Sequence, residues 1–250
     1  MKRLFACLLI LSLLLVISAA CADPLTLVDD LADDIVEPYD ESDPSMGTFS
    51  YSYRYPQVDE AEDGGEDINY FYQDLIAYDL DFTIPMMQEG HEGQDCTTVV
   101  TYTVTCNNDD YFSILIRTEQ HSPDRDFVFY TGNTFARAVL NPGYTSPLPQ
   151  ILGTLSPSET DEWLQDRQTE KANKLIREMV WEQIEENEQG VEYNDDFDEE
   201  ALSHVFFPEE HFYLNEDGDP VFYLQPGIAA PESYGVLTFT VPMEDILDEL

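Results

Sequence analysis

The sequence predicts an α+β fold, with antiparallel sheets covered by helices and two closely packed subdomains. Three observations predict it. Several short segments alternate apolar and polar residues, which is the period of half-buried strands. Two longer segments, one in each half of the chain, repeat apolar residues at helical spacing. The strand and helix segments follow one another in the mixed order that is typical of a sheet with helices packed on it.

Residues 1–22 predict an export signal. Two basic residues precede an uninterrupted run of apolar or small residues at 4–17, which is too short to span a bilayer comfortably. The sequence Ala20-Cys21-Ala22 then offers a cleavage site. Simple cleavage would release the protein, whereas acylation of Cys21 would hold it at a membrane by a lipid, and both outcomes remain open. We expect an extracellular location or one in the cell envelope.

The next segments predict a tether, a strand and a helix. Residues 23–47 are acidic and contain recurring Pro, so we expect a flexible acidic tether. Tyrosines alternate with polar residues at 48–55, as in a half-buried strand. Residues 68–87 carry apolar side chains at the spacing of an amphipathic helix that ends before Pro85.

Four further strands are predicted in the N-terminal half. Residues 97–106 alternate Val or Tyr with Thr, and residues 111–118 return after an Asn-Asn-Asp-Asp turn, which predicts a hairpin. Residues 127–131 and 135–140 predict a second hairpin that turns around Gly132.

A Pro-rich link at 141–150 marks the predicted boundary between the subdomains, which we place at 48–145 and 146–250. Residues 158–189 form the longest predicted helix. Ser158 is its expected N-cap, with Asp161 as the third residue of a capping box, and Gly190 is its expected end. The apolar face of this helix is expected to consist of Ala172, Leu175, Ile176, Met179 and Val180.

The C-terminal tract predicts a hairpin, a strand and a closing helix. The hairpin pairs residues 212–214 with 221–224, the next strand covers 236–241, and a short helix follows. A loop bounded by Pro and Gly separates the hairpin from the strand.

Cys96 and Cys106 are the cysteines of the predicted folded region. Export would permit a disulfide between them. The nine residues that separate them read as one strand, which would hold the sulfurs roughly 30 Å apart, whereas a disulfide needs Cα atoms within about 7 Å. We therefore favour unpaired thiols, with Cys96 the more exposed of the two.

Acidic residues outnumber basic ones by 52 to 10, for a formal net charge of −42. Such a chain repels nucleic acids and anionic lipid surfaces, so we expect no nucleic-acid partner and membrane contact only through a lipid on Cys21. It attracts cationic partners and divalent metals instead. The charge has two interpretations, which are solubility outside the cell and steering towards a basic partner.

No motif indicates catalysis. Residues 91–95 (HEGQD) nearly match the H-E-x-x-H zinc motif, but the glycines around them disfavour the helix which that motif needs. Residues 215–219 (NEDGD) could offer oxygens for weak calcium binding, yet Asp-Gly is the ordinary signal of a hairpin turn. Acidic residues are so abundant that no pair stands out for glycoside hydrolysis. We expect no enzyme activity, no metal site and no cofactor.

The tract FYLNEDGDPVFYLQPGIAAP, followed by YGVLTFTVP, resembles the end of the extracytoplasmic domain of the RsiV family of lysozyme-sensing anti-sigma factors. The segments YSYRYPQV, INYFYQDLIAYDLDF and TYTVTCNNDDYFSILIRT resemble the smaller domain that precedes it in PdaC-like deacetylases. The resemblance implies an α+β fold. Three residues precede the apolar run and none follows Leu250, so we expect neither sigma-factor control nor an appended deacetylase module.

The loop at 226–235 is the predicted binding site. Pro226, Gly227, Pro231 and Gly235 constrain its shape, and Tyr234 offers an aromatic anchor. The family tends to have Tyr where this chain has Gly227. The alternative interpretation of the loop is a connector packed over the sheet.

We expect an exported, non-catalytic binding or sensor-type domain of the bacterial cell envelope. Its expected partner is a cationic, lysozyme-like protein or a cell-wall ligand. The alternatives are a hydrolase or deacetylase acting on envelope glycan, and a structural component of the envelope.

Overall fold

The computed structural model describes residues 23–38, 42–83, 94–122, 126–139, 144–156 and 161–250. These residues form a five-stranded sheet, a three-stranded sheet and helices packed on both, so the predicted α+β class is confirmed. The predicted export signal at 1–22 lies outside these residues. Of the segment HEGQD at 91–95, the structure describes only residues 94 and 95.

The five-stranded sheet belongs to the N-terminal half, and its strands lie in chain order. They are β1 (Leu27–Pro38), β2 (Thr48–Val58), β3 (Cys96–Asn107), β4 (Tyr111–His121) and β5 (Asp126–Ala136). Three neighbouring pairs are antiparallel, but β2 and β3 run parallel. A parallel pair needs a crossover, and helix α1 (Gly65–Tyr78), which continues as a π-helical turn at Asp79–Thr83, lies in that connection.

Strand β1 corrects the prediction of a flexible tether over residues 23–47. It pairs with β2 along its whole length, with Leu31 opposite Tyr55 and Ile35 opposite Tyr51. Leu31 and Ile35 pack against the core of this half, while most of the other side chains of the strand are exposed. Acidic side chains are suited to the edge of a sheet, where they discourage pairing with another chain. The composition therefore reflects an edge strand rather than an unfolded segment.

Strand β5 corrects the prediction of a hairpin around Gly132. Residues 126–136 form one strand that pairs with β4 throughout, with Gly132 opposite Leu115. A Cβ at position 132 would lie 1.8 Å from the carbonyl oxygen of Phe212, in the other half of the molecule. The glycine therefore permits a close approach of two backbones and does not make a turn.

The remaining elements belong to the C-terminal half. They are helices α2 (Leu148–Ile151), α3 (Glu162–Glu186), α4 (Glu199–Val205) and α5 (Met243–Glu249), and strands β6 (Phe212–Leu214), β7 (Pro220–Leu224) and β8 (Leu237–Thr240). The predicted hairpin, strand and closing helix of this tract are confirmed. The apolar face predicted for the long helix is also confirmed, because Ala172, Ile176 and Val180 are buried and Leu175 and Met179 pack against them.

The ends of α3 differ from the prediction. Asp161 is the N-cap itself, and its carboxylate accepts hydrogen bonds from the N–H groups of Trp163 and Leu164. Ser158 lies outside the described residues. The helix ends at Glu186 because Asn187 adopts a left-handed conformation, with φ of 48°, so Gly190 is not its terminus.

The two cysteines lie at opposite ends of β3, and both are buried, free thiols. Cys96 packs in the core of the N-terminal half and Cys106 in the core of the C-terminal half. The strand between them is interrupted only by a register shift between Val104 and Cys106. The geometry that disfavoured a disulfide is therefore confirmed.

The two halves are joined by direct backbone and side-chain hydrogen bonds. The N–H of Gly132 donates to the hydroxyl of Tyr223 at 3.0 Å, and the N–H of Leu214 donates to Ser113 at 3.0 Å. The side-chain amide of Gln225 accepts from the N–H of Tyr130 at 2.8 Å and donates to its C=O at 2.7 Å. Gln225 thus caps the outer edge of β5 and holds the start of the predicted binding loop against it.

Candidate functional site

The predicted binding loop connects β7 to β8 and is held in one conformation by its own turns. Gly227 has φ of 79° and Gly235 has φ of 70°, which is a region that L side chains rarely adopt. Between them, Glu232–Tyr234 forms a short 3-10 turn, and the N–H of Gly235 donates to the C=O of Glu232 at 2.9 Å. The two glycines are therefore required by backbone geometry.

The middle of the loop is anchored in the C-terminal core. Ala229 and Ala230 are buried, and the C=O of Ala229 accepts a hydrogen bond from the N–H of Asn194 at 2.9 Å. The side chain of Asn194 also donates to the C=O of Ile228 at 3.3 Å. The connector interpretation is therefore correct for this part of the loop, whereas residues 231–234 are exposed.

The loop and the outer strand of the five-stranded sheet together form a cavity of about 240 Å³, which we call the junction groove. The residues that line it are Arg117, Asp126, Phe127, Val128, Tyr130, Pro226, Glu232 and Gly235. Five of these come from β4 and β5, and three come from the loop. The groove therefore exists only where the two halves meet.

The structure brings two of the five predicted loop residues to this groove. Pro226 and Gly235 line it, whereas Gly227, Pro231 and Tyr234 do not. Tyr234 is 40% exposed, and its hydroxyl accepts a hydrogen bond from the N–H of Glu192 at 3.2 Å. Gly227 lies under the side chain of Glu232, which a Cβ at position 227 would meet at 2.8 Å.

Sequence reasoning missed the contribution of β4 and β5 to the groove. The sequence predicts that Asp126 and the partly exposed Phe127 lie beside or in a hairpin, and it gives no indication that they face the loop. Glu232 lies inside the predicted loop, and its position between two turn-forming residues was the available signal. The packing of β5 against the C-terminal half depends on contacts between residues that are distant in sequence.

The charged side chains beside the groove form a chain of contacts. Arg117 pairs with Glu119 on β4, and Glu119 lies 3.9 Å from His121. The Nδ1 atom of His121 lies 2.9 Å from a carboxylate oxygen of Asp126. Glu232 takes part in none of the ion pairs found among the described residues. The groove therefore presents two carboxylates, those of Asp126 and Glu232, and one guanidinium, that of Arg117, which is paired with Glu119. Glu232 is not neutralised by these contacts.

The hydroxyl of Tyr223 links the two halves by hydrogen bonds. It accepts from the N–H of Gly132 and donates to the C=O of Glu210 at 3.3 Å. Burial raises the pKa of Tyr223 to about 12, although the hydrogen bond from Gly132 opposes this. The phenol is therefore neutral at ordinary pH and retains both hydrogen bonds.

Within the described ranges, no group of three or more His, Cys, Asp or Glu side chains is arranged to hold a metal ion. In the turn that carries NEDGD, the side-chain oxygens of Asn215 and Asp219 accept backbone hydrogen bonds. The side chain of Asn215 accepts from the N–H groups of Asp217 and Asp219, and Asp219 accepts from the N–H of Met243. These contacts are those of the ordinary hairpin turn that the sequence favoured.

No helix in the described part of the chain has the length and apolar character needed to cross a membrane.

Part of the chain matches a known protein family. Residues 164–244, which run from α3 to the start of α5 and include the predicted loop, match the family described as "Protein of unknown function (DUF3298)". This part of the C-terminal half is therefore similar to DUF3298 domains. A comparison with curated proteins finds no match.

Two solved structures align with most of the chain. A DUF3298 family member from Bacteroides fragilis is 11% identical, with a TM-score of 0.53, over 90% of this chain and 93% of that one. A DUF3298 family protein from Pseudomonas aeruginosa is 12% identical, with a TM-score of 0.47, over 91% and 94%. The first likeness shows a shared fold at this level of identity, and nothing beyond the fold. The RsiV-like and PdaC-associated assignments stay predictions.

Proposed function

We propose that the protein is an exported, non-catalytic binding protein of the bacterial cell envelope or its surroundings, and that it recognises a cationic protein of the lysozyme-like class through the junction groove. The observation that carries the proposal is the composition of this groove. Glu232 and Asp126 lie beside the rings of Phe127 and Tyr130 in a cavity built by both halves.

The chemistry of this lining suits Arg and Lys side chains. Carboxylates form charge-assisted hydrogen bonds with guanidinium and ammonium groups. Aromatic faces attract the same cations and provide apolar area for their aliphatic stems. Phe127 is 37% exposed, so a ligand in the groove could contact it without rearrangement.

The overall charge supports the same class of partner. A formal net charge of −42 attracts basic proteins over distances of about a Debye length and raises their association rate. Long-range attraction does not by itself distinguish one basic protein from another, because specificity requires close contacts. The junction groove supplies a place where such contacts can form. The resemblance to lysozyme-sensing domains, which is a prediction from sequence, gives the lysozyme-like class its priority.

The test is a binding titration of the chain from residue 23 onwards with a C-type lysozyme, beside cytochrome c as an unrelated basic protein. Each titration is run at low salt and at about 1 M salt, where the Debye length falls to about 3 Å. We expect lysozyme alone to keep measurable affinity at high salt. Equal binding of both proteins that disappears with salt would contradict the proposal, and so would the absence of lysozyme binding.

Matched variants locate the contact. Glu232→Gln removes a carboxylate from the groove, while Glu216→Gln removes one from an exposed position on the turn between β6 and β7. We expect the first variant to weaken lysozyme binding about ten-fold, as the loss of a charge-assisted hydrogen bond does, and the second to leave it nearly unchanged. Equal effects would mean that only total charge matters. A cell-wall glycan fragment in place of lysozyme tests the other predicted ligand.

A further inference from the structure

A second cavity lies inside the N-terminal half, between α1 and the five-stranded sheet. Its volume is about 190 Å³. Its walls are mainly aromatic and aliphatic, and include Tyr51, Tyr55, Phe71, Leu75, Val100 and Phe129. A cavity of roughly 150 Å³ lined by Leu, Ile and Phe holds a benzene molecule. The cavity beneath α1 therefore has room for one ring with a short substituent.

Two polar atoms in the wall of this cavity lack hydrogen bonds. They are Oγ1 of Thr98 and Oδ1 of Asn133, whose residues are 4% and 7% exposed. Within the residues that the structure covers, neither atom has a partner. Buried polar atoms are nearly always hydrogen-bonded, so these two need a partner in the cavity, which either water or a ligand can supply.

The two atoms also define the hydrogen-bonding character of that molecule. The Nδ2 group of Asn133 donates to the C=O of Gly132 at 3.1 Å, which fixes the orientation of the amide. The unpaired atom is therefore Oδ1, which is an acceptor. The hydroxyl of Thr98 can donate or accept. An occupant without a hydrogen-bond donor would leave Asn133 unsatisfied, which disfavours a plain hydrocarbon.

A carboxylate completes the wall. Asp79, just after α1, accepts a hydrogen bond from the hydroxyl of Tyr51 at 2.9 Å, and it is the only Asp, Glu, Lys, Arg or His among the described residues of the wall. Burial raises the pKa of both Tyr51 and Tyr55 well above its usual value, and the nearby Asp79 adds to this rise. The phenols are therefore neutral, and no described cation in the wall balances Asp79. An anionic occupant would be repelled and a cationic one attracted.

We propose that the cavity between α1 and the sheet binds a small arylalkylamine, with its ring among the apolar side chains, its ammonium group towards Asp79 and a donor available to Asn133. The ring matches the volume and the aromatic walls, in which edge-to-face and offset contacts with Tyr and Phe are favourable. The ammonium matches Asp79. This site is separate from the junction groove, and the inference does not depend on the proposed function.

The test is a titration of the chain from residue 23 onwards with phenethylamine and tyramine, followed by calorimetry or by amide chemical shifts. Phenylacetate carries the same ring with a negative charge, and benzyl alcohol carries a similar ring with none. We expect both amines to bind at least about ten-fold more tightly than either comparison compound, since a charge-assisted hydrogen bond distinguishes them. Equal binding of phenylacetate or benzyl alcohol, or no binding of the amines, would overturn the proposal.

A pair of variants on one helical segment tests the role of the carboxylate. Asp79→Asn should weaken phenethylamine binding about ten-fold. Asp74→Asn, at an exposed position of α1, removes the same charge away from the cavity and should leave binding unchanged. Equal losses in the two variants would mean that only the field of the whole protein attracts amines, which would overturn the proposal. If Asp79→Asn does not fold, the wild-type chemical-shift map decides, because shifts located away from α1 and β2–β5 contradict the site.

Discussion

Replacement of Gly132 by Ala should separate the two halves of the molecule locally. The added Cβ would lie 1.8 Å from the carbonyl oxygen and 2.8 Å from the carbonyl carbon of Phe212, whereas real Cβ atoms keep at least 3.0 Å from such atoms. Both groups in conflict are backbone, so no flexible side chain can move aside. Strand β6 must therefore shift from β5 by about 1 Å.

The expected cost combines overpacking with lost hydrogen bonds. Inserting a methyl group into a packed interior costs about 1–3 kcal/mol. The shift also disturbs the hydrogen bonds that join Gly132 to Tyr223 and Tyr130 to Gln225, each of which contributes about 0.5–1.5 kcal/mol. We expect a loss of about 3–4 kcal/mol in the free energy of unfolding. For a chain of this size, that corresponds to a fall of about 10 °C in Tm.

Urea unfolding and thermal melting of the variant, beside Gly190→Ala, provide the assay. Gly190 has φ of 68° and no atom within 4 Å of an added Cβ, so its replacement costs only the strain of a left-handed residue, about 1–2 kcal/mol. Gly132→Ala should be clearly the less stable of the two variants. If Gly132→Ala is as stable as Gly190→Ala or more so, the close contact between β5 and β6 is refuted.

Three further perturbations follow from buried groups. Asn69 is 1% exposed and exchanges two 2.8 Å hydrogen bonds with the backbone of Val58. Asn69→Leu should therefore lower the free energy of unfolding, measured in urea, by about 2–4 kcal/mol. A loss no larger than that of Gln73→Leu, at an exposed position, would contradict this role. Burial raises the pKa of Cys106 to about 11. In a Cys96→Ser background, labelling of Cys106 by iodoacetamide at pH 8 should therefore be slow until denaturant is added. Rapid labelling of the folded protein would contradict the burial of Cys106. Burial lowers the pKa of His211 below its usual value of about 6.5, despite nearby Glu210 and Glu209. As the pH falls, His211 therefore binds a proton more readily in the unfolded chain than in the folded chain. The contribution of neutral, buried His211 to stability is present above about pH 6.5 and is lost as the pH falls below it. His211→Gln should therefore lose less stability than the wild type between pH 7 and pH 5 in urea titrations, and identical losses would exclude the effect.

The local elements were largely predictable because their signals are local. Strand β2, the hairpin of β3 and β4, and the apolar face of α3 follow from periodicity alone. The C-terminal hairpin followed from its Asp-Gly turn, where Gly218 indeed has a positive φ of 88°.

The errors arose where distant contacts decide the structure. The acidic composition of β1 predicts a tether, because the pairing of this segment with β2 is not visible in the sequence. The parallel direction of the β2–β3 pair depends on where α1 packs. Gly132 predicts a turn when only its neighbours in sequence are considered, because Phe212, whose backbone approaches it closely, is distant in sequence. Asp161 rather than Ser158 caps α3, which shows that neighbouring cap-forming residues compete.

The candidate site was predictable only in part, for the same reason. The Pro and Gly residues of the loop mark an unusual conformation, which directed attention to Pro226 and Gly235. The facing wall, with Asp126 and Phe127, becomes apparent only after the halves are docked. The unpaired Oδ1 of Asn133 is likewise a property of the packed structure, and no sequence pattern indicates it.

The measurement that tests the central claim most directly is hydrogen exchange of the chain from residue 23 onwards, with and without a C-type lysozyme at saturating concentration. A partner in the junction groove should slow the exchange of amides in residues 126–130 and 225–236. The acidic edge strand β1, which a purely electrostatic contact would also attract, should remain unchanged. Protection centred on β1, or no protection at the junction groove, would contradict the account.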